Sequence, residues 1–558
     1  MVARTSPRAQ PETDSARKAR GAFFTPAELA DFIAGWAIRS AADIVLEPSC
    51  GEAAMLLAAG RRLRALGGIG LLQGMDIDAP SIAEAGKVLD AEGLSADLAV
   101  ADFFDVAPHR SIDAVVGNPP YIRYQTFSGT DRAKAQRAAL AQGVRLGGLA
   151  NAWAAFVVHA SQFLKDNGRL ALVLPAALLS VNYAAPVRRF LLARFAKVKL
   201  VLFDERVFPG VQEEVVLLLA EGRGPTPKFD LFQVRDLAGL GGIAGLPTGR
   251  ARKWAPVDAD AKWTEALLSS RASEEYTAAV DSGGFHTLSA WGETDLGMVT
   301  GNNAFFTLSA ETARRLRLRE SELLRISPPG SRHLRGLAFG EVMFSEMSLA
   351  GARVYLFNPD RRRPSVAAQR YIAQGEADGV HLAYKCAVRE PWWKVPSVRI
   401  PDLFLTYMNQ DVPRLVSNDV RAAHLNSIHG VTLRAEHRKI GQETLPLAML
   451  NSVTMLGAEL VGRSYGGGVL KIEPREASTL PLPAAETLHA VASRLKLLKP
   501  QLAPLFRSSQ LADVVAEVDR VVLVDALGMT PSSVRFLRAA RDALARRRAA
   551  RAGRGAQT

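Results

Sequence analysis

Ala114-Val115-Val116-Gly117-Asn118-Pro119-Pro120-Tyr121 is the stretch on which the reading of this chain turns. The apolar run predicts a β-strand over Ile112 to Val116. The tetrapeptide after it places a side-chain amide, two prolines and an aromatic ring at the strand's carboxyl end. The Asn118 side-chain oxygen and the Pro119 carbonyl can each accept a hydrogen bond from an NH2 group. The prolines Pro119 and Pro120 fix φ and have no N–H to compete for those acceptors. The Tyr121 ring can stack on the plane that carries the amine. Asn-Pro is also ordinary turn punctuation, so the motif takes its meaning from its neighbours.

Working outward, short apolar runs alternate with amphipathic segments from Phe23 to about Gly222, a pattern that predicts a mostly parallel sheet with helices on both faces. Helices are expected over Ala27–Ser40, Ala53–Leu66, Ala152–Leu164 and Pro186–Phe195, the first with Thr25 as N-cap and Pro26 at its first position. Strands are expected over Asp43–Leu46, Leu71–Ile77, Leu98–Ala101, Arg169–Leu174, Val198–Phe203 and Glu214–Leu219. Open α/β sheets bind ligands beyond the carboxyl ends of their strands. Here four consecutive strands end in Glu47 with Cys50 and Gly51, in Asp76, in Asp102 and in Asn118. A glycine in the first turn lets a ligand approach the backbone. An acid ending the second strand suits ribose hydroxyls. G-x-G-x-x-G spacing is absent, so a nucleoside cofactor such as S-adenosylmethionine fits better than a pyrophosphate-bearing one. Taken singly, Asp76 and Asp102 are equally compatible with capping residues.

Composition narrows the class. The chain has 558 residues, room for several domains. No apolar run approaches the length of a membrane span, and residues 1–20 lack a secretory hydrophobic stretch. Cys50 and Cys386 are the only cysteines, which excludes a disulfide framework or a Cys-rich zinc site; no metal is expected, and a reducing, cytoplasmic setting is. The net charge of +13 is concentrated at the ends: residues 1–20 carry five cations against two acids, residues 535–558 eight against one. Such tails are expected to fray and to contact phosphates without specificity.

The order of motifs resembles that of the gamma-class N6-adenine DNA methyltransferases of restriction-modification systems: Gly21-Ala22-Phe23-Phe24-Thr25-Pro26, Leu46 to Gly51, Met75-Asp76-Ile77-Asp78, Asp102-Phe103-Phe104, Asn118 to Tyr121, then Val207-Phe208-Pro209-Gly210. The resemblance implies a Rossmann-like class I methyltransferase domain, S-adenosylmethionine as cofactor, and double-stranded DNA as substrate. It implies that Thr25 and Glu47 line the methionine end, that Asp76 holds the ribose and Asp102 the adenine amino group, and that Pro48, Cys50, Gly51, Ile77, Phe103 and Asn118 complete the cofactor site. Tyr121 and Phe208 would sandwich a flipped base. Methyl transfer would be direct and in line, with no covalent enzyme intermediate; Cys50 is then a loop-packing residue rather than a nucleophile. A separately encoded restriction endonuclease is a compatible partner, a monomer is expected, and no membrane is involved.

In domain terms the reading is a basic tail (1–20), a catalytic domain (21–245), a linker (246–285), an α+β target-recognition domain (286–485) and a helical C-terminal segment (486–558). The stretch from Arg123 to Ala150 is expected either to clamp DNA as a loop or to form a solvated helix over Asp131–Gln142. Leu296 to Phe306, with Asn302 and Asn303, resembles the opening of a recognition domain, and Arg463 to Lys471, with Ser464, resembles its close. Trp393 and Lys394 are candidate base or phosphate contacts, although adjacent tryptophans commonly split between core and surface. Two other classes compete: an Asn-Pro-Pro-Tyr methyltransferase of protein glutamine or RNA, and a non-catalytic DNA-binding subunit that kept the fold.

Overall fold

In the computed structural model the described residues run from 25 to 550, except 69, 123, 125, 206, 209–213, 257, 259, 466–467 and 509. They divide into two compact units, at Leu267 and Leu268.

The first unit is built on a nine-stranded sheet. Its strands are β1 (Ile44–Glu47), β2 (Leu71–Asp76), β3 (Ala96–Val100), β4 (Ile112–Gly117), β5 (Leu164–Pro175), β6 (Lys197–Phe203), β7 (Val215–Glu221), β8 (Phe229–Val234) and β9 (Arg252–Trp254). Their spatial order is β3-β2-β1-β4-β5-β7-β6-β8-β9. Strands β3, β2, β1, β4 and β5 run parallel, and β7 enters antiparallel between β5 and β6. This is the expected class I methyltransferase architecture. The central strands read as continuous apolar runs because both faces are covered: every residue of β5 from Leu170 to Leu174 is buried. The covering helices include α1 (Ala27–Ala37), α2 (Ala54–Ala65), α3 (Ala79–Ala91), α4 (Gly129–Leu140), α5 (Ala152–Ala160) and α6 (Ala185–Arg194).

Several expectations shift. Strand β5 begins at Leu164, where the sequence pattern predicts the end of a helix; Gly168 and the polar Lys165-Asp166-Asn167 hide its first half from a periodicity reading. Thr25 does not cap α1, whose N-cap is Pro26 without a side-chain bond. Of the two alternatives for residues 123–150, a helix forms, over Gly129–Leu140. The expected linker 246–285 holds structure instead. Strand β9 pairs with β8 and Trp263 is fully buried, so this end belongs to the first unit, while a helix over Ser270–Asp281 belongs to the second.

The second unit centres on a five-stranded sheet in the order Gly292–Leu296, Ile428–Leu433, Leu403–Thr406, Leu415–Asn418, Ala338–Phe339. A small antiparallel sheet joins Met408–Asn409, Val469–Lys471 and Arg463–Tyr465. Helices over Arg438–Ala448, Ser452–Val461, Ala485–Arg507, Leu511–Val518 and Pro531–Ala550 complete it. The described part of the basic C-terminal segment forms a helix over Pro531–Ala550. Arg538 donates to buried Asp519 at 2.7 Å, which also accepts from Ser452 N and Oγ at 2.7 and 2.6 Å. Arg548 pairs with Glu459 at 2.7 and 3.0 Å and donates to the carbonyls of Gln410, Asp411 and Gly468. These arginines are internal ties, because the carbonyls and acids they satisfy would be costly to bury unpaired. Among the described residues no single helix is long and apolar enough to cross a membrane.

Candidate active site

Parallel pairing of β3, β2, β1 and β4 brings the ends of four strands into one row, in the order Asp102, Asp76, Glu47, Asn118. At about 4.8 Å per strand the row spans roughly 14 Å. It lies where the strand order reverses around β1, which is where a doubly wound sheet opens a crevice.

The first turn is held tightly. Cys50 N–H donates to the Met75 carbonyl at 2.9 Å, and Gly51 N–H donates to Asp76 Oδ2 at 2.9 Å. The second oxygen of Asp76 accepts from Asp78 N–H at 2.9 Å. Gly51 adopts φ +49°, and a Cβ there would meet nothing within 4 Å, so backbone conformation rather than crowding calls for glycine, and the space above the loop is open to a ligand. Ala53 takes the same left-handed region at φ 69°, local strain of the kind that clusters at functional loops. Glu47 is buried and accepts from Leu56 N–H at 3.1 Å. Burial holds its carboxyl well above the usual range, opposed by that N–H and reinforced by nearby Asp76. The Cys50 thiol is pushed up by burial and by the same two acids, and a Cβ on Gly74 would sit 3.3 Å from its sulfur. A thiol so placed packs and does not attack.

Asn118 leaves β4 half-buried, with Nδ2 3.4 Å from Thr25 Oγ1. That contact joins the N-terminal motif to the tetrapeptide across 93 residues. Pro119 is buried. Tyr121 is anchored by its hydroxyl, which donates to the Val173 carbonyl of β5 at 3.1 Å; both it and Phe208 belong to the buried core of the unit. At the far end of the row, Asp102 caps a short turn by accepting from Phe104 N–H at 3.0 Å. Phe103 packs against Phe156, Phe163 and His159, with His159 Nε2 3.0 Å from its carbonyl; burial lowers the His159 pKa. Ile77 is 71% exposed beside Asp76, an apolar surface next to polar acceptors, as a nucleoside base requires.

Two residues escaped the sequence reading. Ser49 Oγ is buried without a hydrogen-bond partner, inside the loop whose backbone is open. Lys134 reaches Asp102, a contact across 32 residues that no local pattern announces. Gly21 to Phe24, Arg123, Pro209 and Gly210 lie outside the described residues.

A family profile described as the Eco57I restriction-modification methylase matches residues 87–208, which hold Asp102 and the tetrapeptide. A second, described as the C-terminal domain of the type II methyltransferase M.Eco57I, matches residues 260–523. The chain is a type II restriction-modification DNA methyltransferase. Similar proteins include the type II methyltransferase M.XamI of Xanthomonas campestris pv. amaranthicola, 25% identical over 482 residues that cover 84% of this chain and 86% of the relative. M.AccI of Acinetobacter calcoaceticus is 21% identical over 472 residues, 82% and 84% of the two chains. M.TthHB8I of Thermus thermophilus is 30% identical over 223 residues, 38% of this chain and 47% of the relative. The methylase is therefore a DNA-modifying enzyme whose methyl donor is S-adenosylmethionine. Its strand-end row suits that donor: an open glycine turn, an orphaned Ser49 hydroxyl, an exposed Ile77 and the acids Asp102, Asp76 and Glu47 on neighbouring strands.

The recognition residues singled out in the second unit are largely engaged. Asn302 caps a helix turn by accepting from Phe305 N–H at 3.1 Å. Asn303 Oδ1 accepts from Thr300 at 2.5 Å. Trp393 is buried in a hydrophobic core, while Trp392 is only partly buried beside it and donates to Glu376 at 3.0 Å. Lys394 donates to the Pro359 carbonyl at 2.8 Å. Arg463 pairs with buried Glu476 at 2.5 Å and Lys471 with Glu473 at 2.7 Å. Ser464 and Tyr465 are exposed on their hairpin.

Proposed function

We propose that this methylase transfers a methyl group to N6 of an adenine flipped out of duplex DNA. The observation that carries the reading is the position of Asn118-Pro119-Pro120-Tyr121 at the end of β4, in one row with the acids that end β1, β2 and the β3 turn. S-adenosylmethionine supplies an electrophilic methyl group on a sulfonium. The residues of the chain do the rest. Asn118 Oδ1 and the Pro119 carbonyl accept the two amino hydrogens, drawing the nitrogen toward a tetrahedral arrangement and turning its lone pair to the donor side. Tyr121, fixed by Val173, and Phe208 bound the base by its faces. The contribution is positioning and preorganised dipoles, so no side-chain nucleophile is needed. Extrusion of the base costs a few kcal/mol, offset by stacking and hydrogen bonding in the pocket. Thr25 and Glu47 would hold the methionine end, Asp76 the ribose and Asp102 the adenine of the cofactor. A separately encoded endonuclease would cut the same sites when unmodified.

The test is chemical. The full chain, incubated with methyl-labelled S-adenosylmethionine and duplex DNA, should yield labelled N6-methyladenine after digestion to nucleosides. Label on cytosine, or label confined to RNA or to a release-factor glutamine, would overturn the assignment.

A further inference from the structure

The segment that leaves the catalytic tetrapeptide folds back to the other end of the row. Helix α4 is seated by Ala135 and Ala139, both buried. Its entry is fastened by Arg132, whose guanidinium donates to the Phe127 carbonyl at 2.6 Å and to the Tyr124 carbonyl. Gln136 donates to the Leu146 carbonyl at 3.3 Å. So held, the helix carries Lys134 to a point between two carboxylates: its ammonium donates to Asp102 at 3.1 Å and to Asp105. The lysine and Asp102 side chains are 28% and 23% exposed, so this is not a fully solvated surface pair, whose value would be slight. Both acids hold the ammonium above the usual lysine range.

Asp102 is thereby gripped on both oxygens, Oδ1 by Phe104 N–H and Oδ2 by Lys134. Each carboxylate oxygen has two lone pairs, so the grip removes rotation and leaves an accepting direction free. We propose that Lys134 is a positioning residue for the cofactor: it fixes the Asp102 carboxylate in the orientation that accepts the adenine amino group. This rests on the reading of Asp102 given above. It assigns a role in cofactor binding to the segment for which the sequence offered a DNA clamp or a solvated helix. Asp105 also holds the lysine but ends no strand of the row, lying in the turn after Asp102, so it is the control.

Calorimetric titration of the full chain with S-adenosylhomocysteine tests this without turnover. Asp102→Asn should weaken binding about tenfold or more, the scale of a lost charge-assisted hydrogen bond. Lys134→Met should weaken it roughly fivefold, and Lys134→Arg should restore most of the loss. Asp105→Asn leaves the Lys134–Asp102 bond in place and should weaken binding clearly less than Lys134→Met. The double variant Asp102→Asn/Lys134→Met should bind no worse than Asp102→Asn alone, because the lysine acts through that acid. Parent-like affinity of Lys134→Met in a folded protein, or additive losses in the double variant, would overturn the proposal. Equal weakening by Asp105→Asn would reduce Lys134 to a helix tie and overturn it too. Parent-like affinity of Asp102→Asn would instead remove the reading on which it stands.

Discussion

The two units treat their polar residues in opposite ways. In the first, Asp76, Asp102 and Asn118 end strands of one row; Asp76 and Asp102 accept from backbone N–H groups, Asp102 also from Lys134, and Asn118 donates to Thr25. In the second, Asn302, Lys394, Arg463, Lys471 and Arg548 are drawn into caps, carbonyl contacts and ion pairs that build the fold. Polar residues of the same types thus gather along one edge of a sheet in one unit and are spread through the architecture of the other. What separates them is place: the first set ends neighbouring parallel strands beside an open glycine turn, whereas the second is spread over caps, carbonyls and ion pairs.

That contrast can be broken at either end. The largest effect is expected at Asn118. Asn118→Ala should lower methyl transfer by about 10²–10³-fold, the cost of losing one preorganised group, with S-adenosylhomocysteine affinity and melting temperature unchanged. Equal activity on adenine-containing duplex would dissolve the distinction. Next is Arg548→Met, which leaves Glu459 buried without its partner and should cost about 3–5 kcal/mol in denaturant unfolding, again with cofactor affinity retained. An unchanged unfolding midpoint would show that the arginine is dispensable.

The smallest effect sharpens the comparison by asking whether a site residue costs stability. The folded-state pKa of Glu47 lies above its unfolded value. The unfolded chain therefore loses the proton first, and stability falls as pH rises through that interval. Glu47→Gln removes the penalty. Its melting temperature should match the parent below about pH 4, the unfolded glutamate range, and exceed it increasingly above. A variant less stable than the parent at neutral pH would show that the buried charge is structural.

The same contrast explains what could be read from the chain. The strands β1 to β4 and the residues that end them were legible because each is a local pattern: an apolar run, then a turn with a glycine, acid or amide. Their spatial order follows from rules of parallel sheets. Strand β9 and helix α4 were harder, the first because three residues carry no period, the second because its buried positions, Ala135 and Ala139, are alanines. Trp393 and Trp392 could be expected to split between core and surface, but not which would be buried. Lys134 on Asp102, and Arg548 on Glu459, were out of reach, since pairs 32 and 89 residues apart are set by tertiary packing.

Arg548 also fixes a sequence of events in time. Glu459 is made 89 residues before the arginine that neutralises it, and the Gln410 carbonyl 138 residues before. At ribosomal rates of about 5–20 residues per second, the acid waits roughly 4–18 s for its partner. Through that interval the second unit is a nascent body with an open seam at Glu459 and Gln410. Its closure therefore cannot precede synthesis of the helix over Pro531–Ala550.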